Sequence, residues 1–271
     1  MTIKDVTDST LADLASLEGR VAVVTGAAMG IGRAISRRLC EAGAIVVAAD
    51  IDAKALEATV TAARQSGAVI HAAPVDVRDT ASVDRLVDET VATLGKLDIM
   101  VNNAGIYPNE PLLEMDDESW DRVQELNVRG AFAGSRAAAR HMIPQSTGGV
   151  IITLGSVNGY RAFGGGLSHY TASKHAIHGL TRALAVELGP HDIRVVAVAP
   201  TMIETEGVSK LREEMGDGAF GDLMATMAEK HPSGRVGVPD DIARVVAFLV
   251  SDAAVMINGT AVDVEGGYLS A

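Results

Sequence analysis

The stretch Val21-Ala22-Val23-Val24-Thr25-Gly26-Ala27-Ala28-Met29-Gly30-Ile31-Gly32 runs an apolar, β-branched segment straight into a glycine-rich loop. Such a segment, with no polar/apolar alternation, suits a strand buried on both faces. Gly30–Ala42, stopped by Gly43, suits a helix packing back on that strand. The rhythm continues outward. Further strands are expected at Ile45–Asp50, Val69–Asp76, Leu97–Asn102, Gly149–Gly155, Ile193–Ala199 and Thr260–Val264. Helices are expected at Ala53–Gln65, Ala81–Leu94, Glu118–Met142, Tyr170–Leu188 and Asp240–Leu249. Strands alternating with helices at this spacing imply right-handed crossovers and a parallel sheet. The expected fold class is therefore α/β: a single doubly wound parallel sheet of about seven strands with helices on both faces.

Residues 201–237 break the rhythm. They hold no strand-like run, are rich in Met, and carry Gly207, Gly216, Gly218 and Gly221. They are expected to form a lid. With no repeat and no Pro/Ser-rich linker, residues 19–271 read as one dinucleotide-binding catalytic domain, and residues 1–18 as an N-terminal extension. That extension is expected to be an unstructured arm or a short helix using Leu11, Leu14 and Leu17.

The chain has 271 residues, 48% hydrophobic and 21% charged, with a formal net charge of −12. That is too apolar for disorder, and too acidic for a nucleic-acid partner. No apolar run reaches the ~18–20 residues of a membrane span, so no membrane partner is expected. Met1–Glu18 lacks a basic start followed by an apolar stretch, so it does not read as a secretion signal. With Cys40 as the one cysteine, no internal disulfide can form. A cytoplasmic location follows as the expectation. Cys40 itself reads as a small apolar residue on a helix.

In a loop that follows a strand and opens a helix, glycines have distinct uses. One allows a tight turn, another a close backbone approach to a pyrophosphate, a third close helix–strand packing. The helix N-terminus then offers free N–H groups and the positive end of its dipole to phosphates. Gly26, Gly30 and Gly32, with Met29 and Ile31 between and beside them, thus point to a Rossmann-type dinucleotide site. The second strand ends at Asp50, whose carboxylate suits ribose hydroxyls and would repel a 2′-phosphate. Neither Met29 nor Ile51 supplies a basic partner for such a phosphate. NAD is the expected cofactor.

Tyr170 and Lys174 stand at i and i+4, on one face of a helix. A free phenol has a pKa of about 10 and is a poor base near neutrality. A neighbouring ammonium favours the phenolate, which makes Tyr170 a candidate proton-transfer residue. Ser156, at the end of the fifth strand, can hydrogen-bond a substrate oxygen from the other side. Strand ends of a parallel sheet converge there with the glycine loop.

Taken together, these motifs resemble the short-chain dehydrogenase/reductase family from about Gly19 to the C-terminus. The shared elements are the Thr25–Gly32 loop, Asp76-Val77, Asn102-Asn103-Ala104-Gly105, Asn127, Ser156, Tyr170 with Lys174, Pro200 with Thr205, and Glu265-Gly266-Gly267. The resemblance implies roles. Tyr170 would be the catalytic acid/base, Lys174 would bind the nicotinamide ribose and hold the phenol's pKa down, and Ser156 would position the substrate oxygen. Asn127 would support a water relay behind Lys174. Asp76 and Val77 would contact the adenine, and Asn102 would brace the sheet. Asn103, Ala104 and Gly105 would line the cofactor channel, and Ile51, Pro200, Ile203 and Thr205 would complete the cofactor contacts. It also implies a homotetramer, with Glu118–Met142 and Tyr170–Leu188 as interfaces. Pro200-Thr201 departs from the family's usual Pro-Gly and places the local nicotinamide contact in question.

The implied activity is NAD-dependent hydride transfer between a nicotinamide and a secondary alcohol/ketone pair of medium size and fairly apolar character. The alternatives are a catalytically silent dinucleotide-binding sensor or scaffold, a 3-oxoacyl-thioester reductase, or another reaction on the same scaffold, such as epimerisation or dehalogenation. Substrate contacts are expected from Tyr107 and Pro108, then Val157, Asn158, Tyr160, Phe163 and Leu167. The lid would add Met202, Ile203, Val208, Leu211, Met215, Phe220, Leu223, Met224 and Met227. Gly164-Gly165-Gly166 reads as an open or mobile rim. The seven histidines lack metal-ligand spacing, so no metal is expected. His169 should point away from the face that carries Tyr170.

Overall fold

All seven apolar runs form strands: β1 Val21–Thr25, β2 Ile45–Asp50, β3 Ile70–Pro74, β4 Ile99–Asn102, β5 Gly149–Leu154, β6 Ile193–Pro200 and β7 Ala261–Val264. These come from a computed structural model that describes residues 5–271, with the side chains at 209–211, 213 and 214 outside the described set. The strands make one sheet in the order β3-β2-β1-β4-β5-β6-β7. Every pairing is parallel, with Val21 opposite Ile45 and Val24 opposite Val101. The chain steps outward from β1 to β3, then returns to start again at β4 beside β1. This leaves a crevice at the carboxyl ends of those two strands.

The helices are α1 Leu11–Ala15, α2 Gly30–Glu41, α3 Ala53–Gln65, α4 Thr80–Leu94, α5 Asp117–Gln124, α6 Gly130–Gln145, α7 Ser168–Leu188, α8 Glu206–Met215, α9 Asp217–Glu229 and α10 Pro239–Val250. They build two cores, and the pleat of each strand feeds both. Ala22 and Val24 of β1 pack with Ile35 and Leu39 of α2 and Val246 of α10. Val23, between them, packs on the other face with Val87 of α4, Ala137 of α6 and Leu188 of α7. Each fully buried Val, Leu or Ile contributes roughly 1.5–3 kcal/mol, so burial on both faces selects unbroken apolar runs.

Two elements differ from the sequence expectation, and a third takes the short-helix alternative. The expected helix Glu118–Met142 is interrupted: α5 gives way to a π-turn at Glu125–Arg129 before α6 begins. Such single wide turns cluster at functional sites, and this one carries Asn127. Residues 201–237 contain two helices, α8 and α9. Their base is pinned by a parallel bridge between Ile203 and Gly237. At the start of the chain, Thr10 caps the short α1 with Asp13 in a reciprocal capping box. Leu17 is fully buried and Leu11 points to solvent. Residues 1–4 of the expected extension lie outside the described residues. Cys40 sits half-buried on α2, where burial pushes its thiol up to about 11.

Candidate active site

The glycine loop takes its shape from contacts that leave no room for side chains. Gly26 has φ +64°, and a β-carbon there would lie 2.9 Å from the Ala104 Cα. A β-carbon on Gly32 would lie 2.1 Å from the Gly26 oxygen. Gly26 thus makes the turn and Gly32 seats α2 against it. Asn103 fixes this loop from across the crevice, its Nδ2 donating to the Thr25 and Gly26 carbonyls at 2.9 Å each. The backbone N–H groups of Asn103 and Ala104 donate to Thr25 Oγ1. Asn102, expected to brace the sheet, ties β4 to α6 by donating to Ser135 Oγ at 3.0 Å.

A cleft of ≈ 960 Å³ opens over this loop. Among the residues expected to hold the cofactor, Gly26, Met29, Gly30, Ile31, Asp50 and Ile51 line one end. Asp76, Val77, Asn103, Ala104, Gly105, Tyr170, Lys174, Pro200 and Ile203 line the cleft too, and Thr205 lies against the glycine loop at Gly30. Gly32 lies behind the wall. Asp50 accepts the N–H groups of Ala28 at 2.9 Å and Asp52 at 3.0 Å, which hold its carboxylate at the rim. Asp76 is paired with Arg78 at 2.7 Å. The Arg78 hydrogen bond outweighs burial and holds the Asp76 carboxyl below the usual range.

Tyr170 lies in the first turn of α7, one turn before Lys174, whose Nζ is 5.5 Å from the Tyr170 ring centroid. Ser156 follows β5 with its hydroxyl beside the Tyr170 phenol and donating to the Pro200 carbonyl at 3.5 Å. Its hydroxyl also caps the turn Val157–Gly159, accepting the Asn158 N–H at 3.1 Å. Lys174 is buried and donates to the Leu154 carbonyl at 2.6 Å. The expected lowering of the phenol by Lys174 is not the main influence here. Burial pushes Tyr170 up to about 12, opposed by the Ser156 hydrogen bond and reinforced by nearby Tyr107. Burial also pulls Lys174 down to about 8. Both shifts run against the charged form, although Lys174 still carries its proton at neutral pH, and a cation brought beside the phenol would shift it back down.

Asn127 is set by the π-turn. Its Oδ1 accepts the Ile106 N–H at 2.9 Å, while Nδ2 donates to the Ile106 carbonyl at 2.9 Å and to Ser173 Oγ at 3.1 Å. It locks the loop after β4 to α7 from behind the cleft rather than lining it. Thr201, in the position where a glycine was expected, has its Oγ1 3.2 Å from His231 Nε2. That contact joins the end of β6 to the far end of α9.

The expected substrate wall forms in part. Tyr107, Val157, Asn158, Phe163 and Leu167 line the cleft, as do Met202, Val208, Leu223 and Met227. Pro108 and Met224 do not. Tyr160 turns away, because its hydroxyl donates to Asp263 at 2.7 Å and its ring packs on buried His178. Phe220 packs within the α8–α9 body under Arg212, Met215 points to solvent, and the Leu211 side chain lies outside the described residues. The Gly164–Gly166 rim is tethered rather than open: Asn109 Nδ2 donates to the Gly165 carbonyl and Glu110 N–H to that of Gly166. His169 turns inward, its Nδ1 accepting the Tyr170 N–H at 2.8 Å. Residues not anticipated from sequence also reach the cleft: Arg78, Glu206, Lys230 and Tyr268. For Tyr268 the signal was Gly266-Gly267, whose positive φ values of 62° and 89° fold the C-terminal segment back.

A family model described as enoyl-(acyl carrier protein) reductase matches residues 26–269. The chain is 38% identical over 257 residues to 3β-hydroxysteroid dehydrogenase 2 of Eggerthella lenta, covering 93% of this chain and 95% of that protein. It is 41% identical over 251 residues to cis-4-hydroxycyclohexanecarboxylate dehydrogenase of Sinomonas cyclohexanicum, covering 92% and 96%. Among solved structures, a short-chain type dehydrogenase/reductase from Mycobacterium marinum superposes with a TM-score of 0.89 at 36% identity, covering 96% and 99%. A gluconate 5-dehydrogenase from Burkholderia cenocepacia, in complex with NADP and tartrate, gives 0.87 at 33% identity, covering 97% and 100%. With the parallel sheet and these matches along nearly its whole length, the chain belongs to the short-chain dehydrogenase/reductase family and is a dinucleotide-dependent oxidoreductase that transfers hydride.

Proposed function

We propose that the chain is an NAD-preferring alcohol dehydrogenase/carbonyl reductase acting on medium-sized, fairly apolar secondary alcohols and ketones, with Tyr170 as the proton-transfer residue. The observation that carries this reading is that one cleft holds both the glycine loop and the Ser156–Tyr170–Lys174 group. Gly30 leaves the backbone bare where a diphosphate must approach, Gly26 and Gly32 make the tight turn and close packing that set it there, and Asn103 fixes that cradle. The residues fit a dinucleotide. When bound, its nicotinamide supplies the hydride donor or acceptor. Tyr170 Oη receives the alcohol proton on oxidation and returns it on reduction. Ser156 Oγ holds the substrate oxygen beside Tyr170 Oη, and Lys174 keeps the proton mobile between phenol and solvent by its own readiness to lose charge. Asn127 acts from behind, as a positioning residue that fixes the loop at Ile106.

The NAD preference rests on Asp50. Its carboxylate is fixed at the rim, where a 2′-phosphate would meet a like charge. Arg78, the basic residue beside Asp76 and Val77 in sequence, is engaged by Asp76. The apolar wall of Tyr107, Val157, Leu167, Met202 and Met227 supports a ring-bearing alcohol, in keeping with the steroid and hydroxycyclohexanecarboxylate named for two relatives. In this reading residues 19–271 form one catalytic domain and 201–237 its substrate lid. Exposed Phe132 on α6 and Val186 on α7 support a homotetramer, which light scattering would register as a mass about four times 28.1 kDa.

The experiment is turnover with NAD(H) and NADP(H) over a panel of cyclic and open-chain secondary alcohols and ketones. The expected result is a kcat/KM about 10-fold or more higher with NAD(H), narrowing in Asp50→Ala. Faster turnover with NADP(H) would remove the role given to Asp50.

A further inference from the structure

The N-terminus of α2 is where the fold offers its N–H groups to a diphosphate. In this structure that place is taken by a side chain of the protein itself. Glu206, the first residue of α8, accepts the Gly30 N–H on Oε2 at 2.9 Å and pairs through Oε1 with Arg33, one turn into α2. The approach is not incidental to one long side chain. Thr205 caps α8, and its Cγ2 would lie 3.4 Å from a β-carbon on Gly30, so the whole first turn of α8 rests on the glycine loop. Glu206 lines the same cleft as Met29, Gly30 and Ile31. Partial burial works against its charge, but its own backbone N–H, Arg33 and Gly30 outweigh that and hold the carboxyl below the usual range. It is an anion at neutral pH, bound as an anion would be bound.

We propose that Glu206 is an internal competitor for the cofactor's diphosphate: its carboxylate and the dinucleotide exchange on Gly30 N–H and Arg33, so that this residue sets cofactor affinity and release. The inference rests on the dinucleotide-binding reading. A diphosphate arriving at the loop meets a like charge and must displace it, and displacement frees α8 from the loop. On product release the carboxylate returns to the same N–H and guanidinium and drives the dinucleotide out. The exchange makes the lid's first turn sense whether the diphosphate is present.

The test measures dissociation constants of NADH, ADP and adenosine for the full-length protein and for Glu206→Gln, with the NADH off-rate by stopped-flow displacement. The glutamine keeps the length and an acceptor oxygen for Gly30 N–H and removes only the charge. The inference predicts that NADH and ADP bind about 5-fold or more tightly to the variant, with most of the gain in the off-rate, and that adenosine, which has no phosphate, binds both proteins equally. Equal or weaker NADH binding in the variant would overturn it. So would an equal gain for adenosine, which would mean a general loosening of the lid. If neither protein bound NADH, NADPH or ADP, the dinucleotide reading itself would fall, and this inference with it.

Discussion

Lys174 is a buried ammonium that donates to the Leu154 carbonyl at 2.6 Å. Its place there is a cost to the fold in exchange for chemistry. Burial lowers it to about 8 from 10.5, so between those values the unfolded chain binds more protons than the folded one. Stability contributed by this residue is therefore lowest below pH 8 and rises with pH through that window. Lys174→Met is predicted to raise the unfolding free energy of the ligand-free protein at pH 7 by about 1 kcal/mol or more. The advantage should shrink as pH rises from 8 to 10, and turnover should be lost throughout. Denaturant unfolding across that range checks it. A variant less stable than the parent at pH 7 would show that the Leu154 contact outweighs desolvation. Tyr170 and Lys174 were legible from sequence because i, i+4 spacing on a helix fixes a shared face whatever the rest of the chain does. The direction of Tyr170's shift was not, since it depends on how much protein surrounds the phenol.

At the scale of elements, the β–α alternation could be read because strands buried on both faces cannot alternate polar and apolar residues. The loop Thr25–Gly32 could be read because close backbone packing excludes every residue but glycine at defined points. Gly32→Ala is predicted to destabilise the fold by about 1–3 kcal/mol and to weaken NADH binding, because its β-carbon would meet the Gly26 oxygen at 2.1 Å. Thermal melts with and without NADH measure both effects. An alanine variant that melts and binds like the parent would contradict the packing role. The π-turn at Glu125–Arg129 was hidden, because one wide turn hardly disturbs the apolar periodicity on either side. Helices α8 and α9 were hidden by the glycines at 207, 216, 218 and 221, of which only Gly216 lies between the two helices, at φ +80°. Tyr160 was misread as substrate-facing because its partner, Asp263, lies more than a hundred residues away.

For the molecule as a whole, one crevice at the carboxyl ends of β1 and β4 brings together segments from nearly the full length of the chain. Gly26 and Asp50 come from the first half of the sheet, Tyr170 and Lys174 from the second, and Glu206 and Tyr268 from α8 and the C-terminal segment. The sheet order made the first two groups predictable. Glu206 is a long-range contact with no local signature, while Tyr268 was signalled only by the Gly266-Gly267 pair before it. Among the described residues no helix is long and apolar enough to cross a membrane. In the proposed function, cofactor binding and proton transfer are separate tasks of this one cleft, with Tyr170 Oη responsible for the second. The most direct test compares the parent with Tyr170→Phe, measuring NADH affinity by fluorescence and turnover on the best alcohol found. The expected result is NADH affinity within about 2-fold of the parent and turnover reduced by about 10²-fold or more, the scale of a lost general acid/base. A phenylalanine variant that turns over at a comparable rate would contradict it.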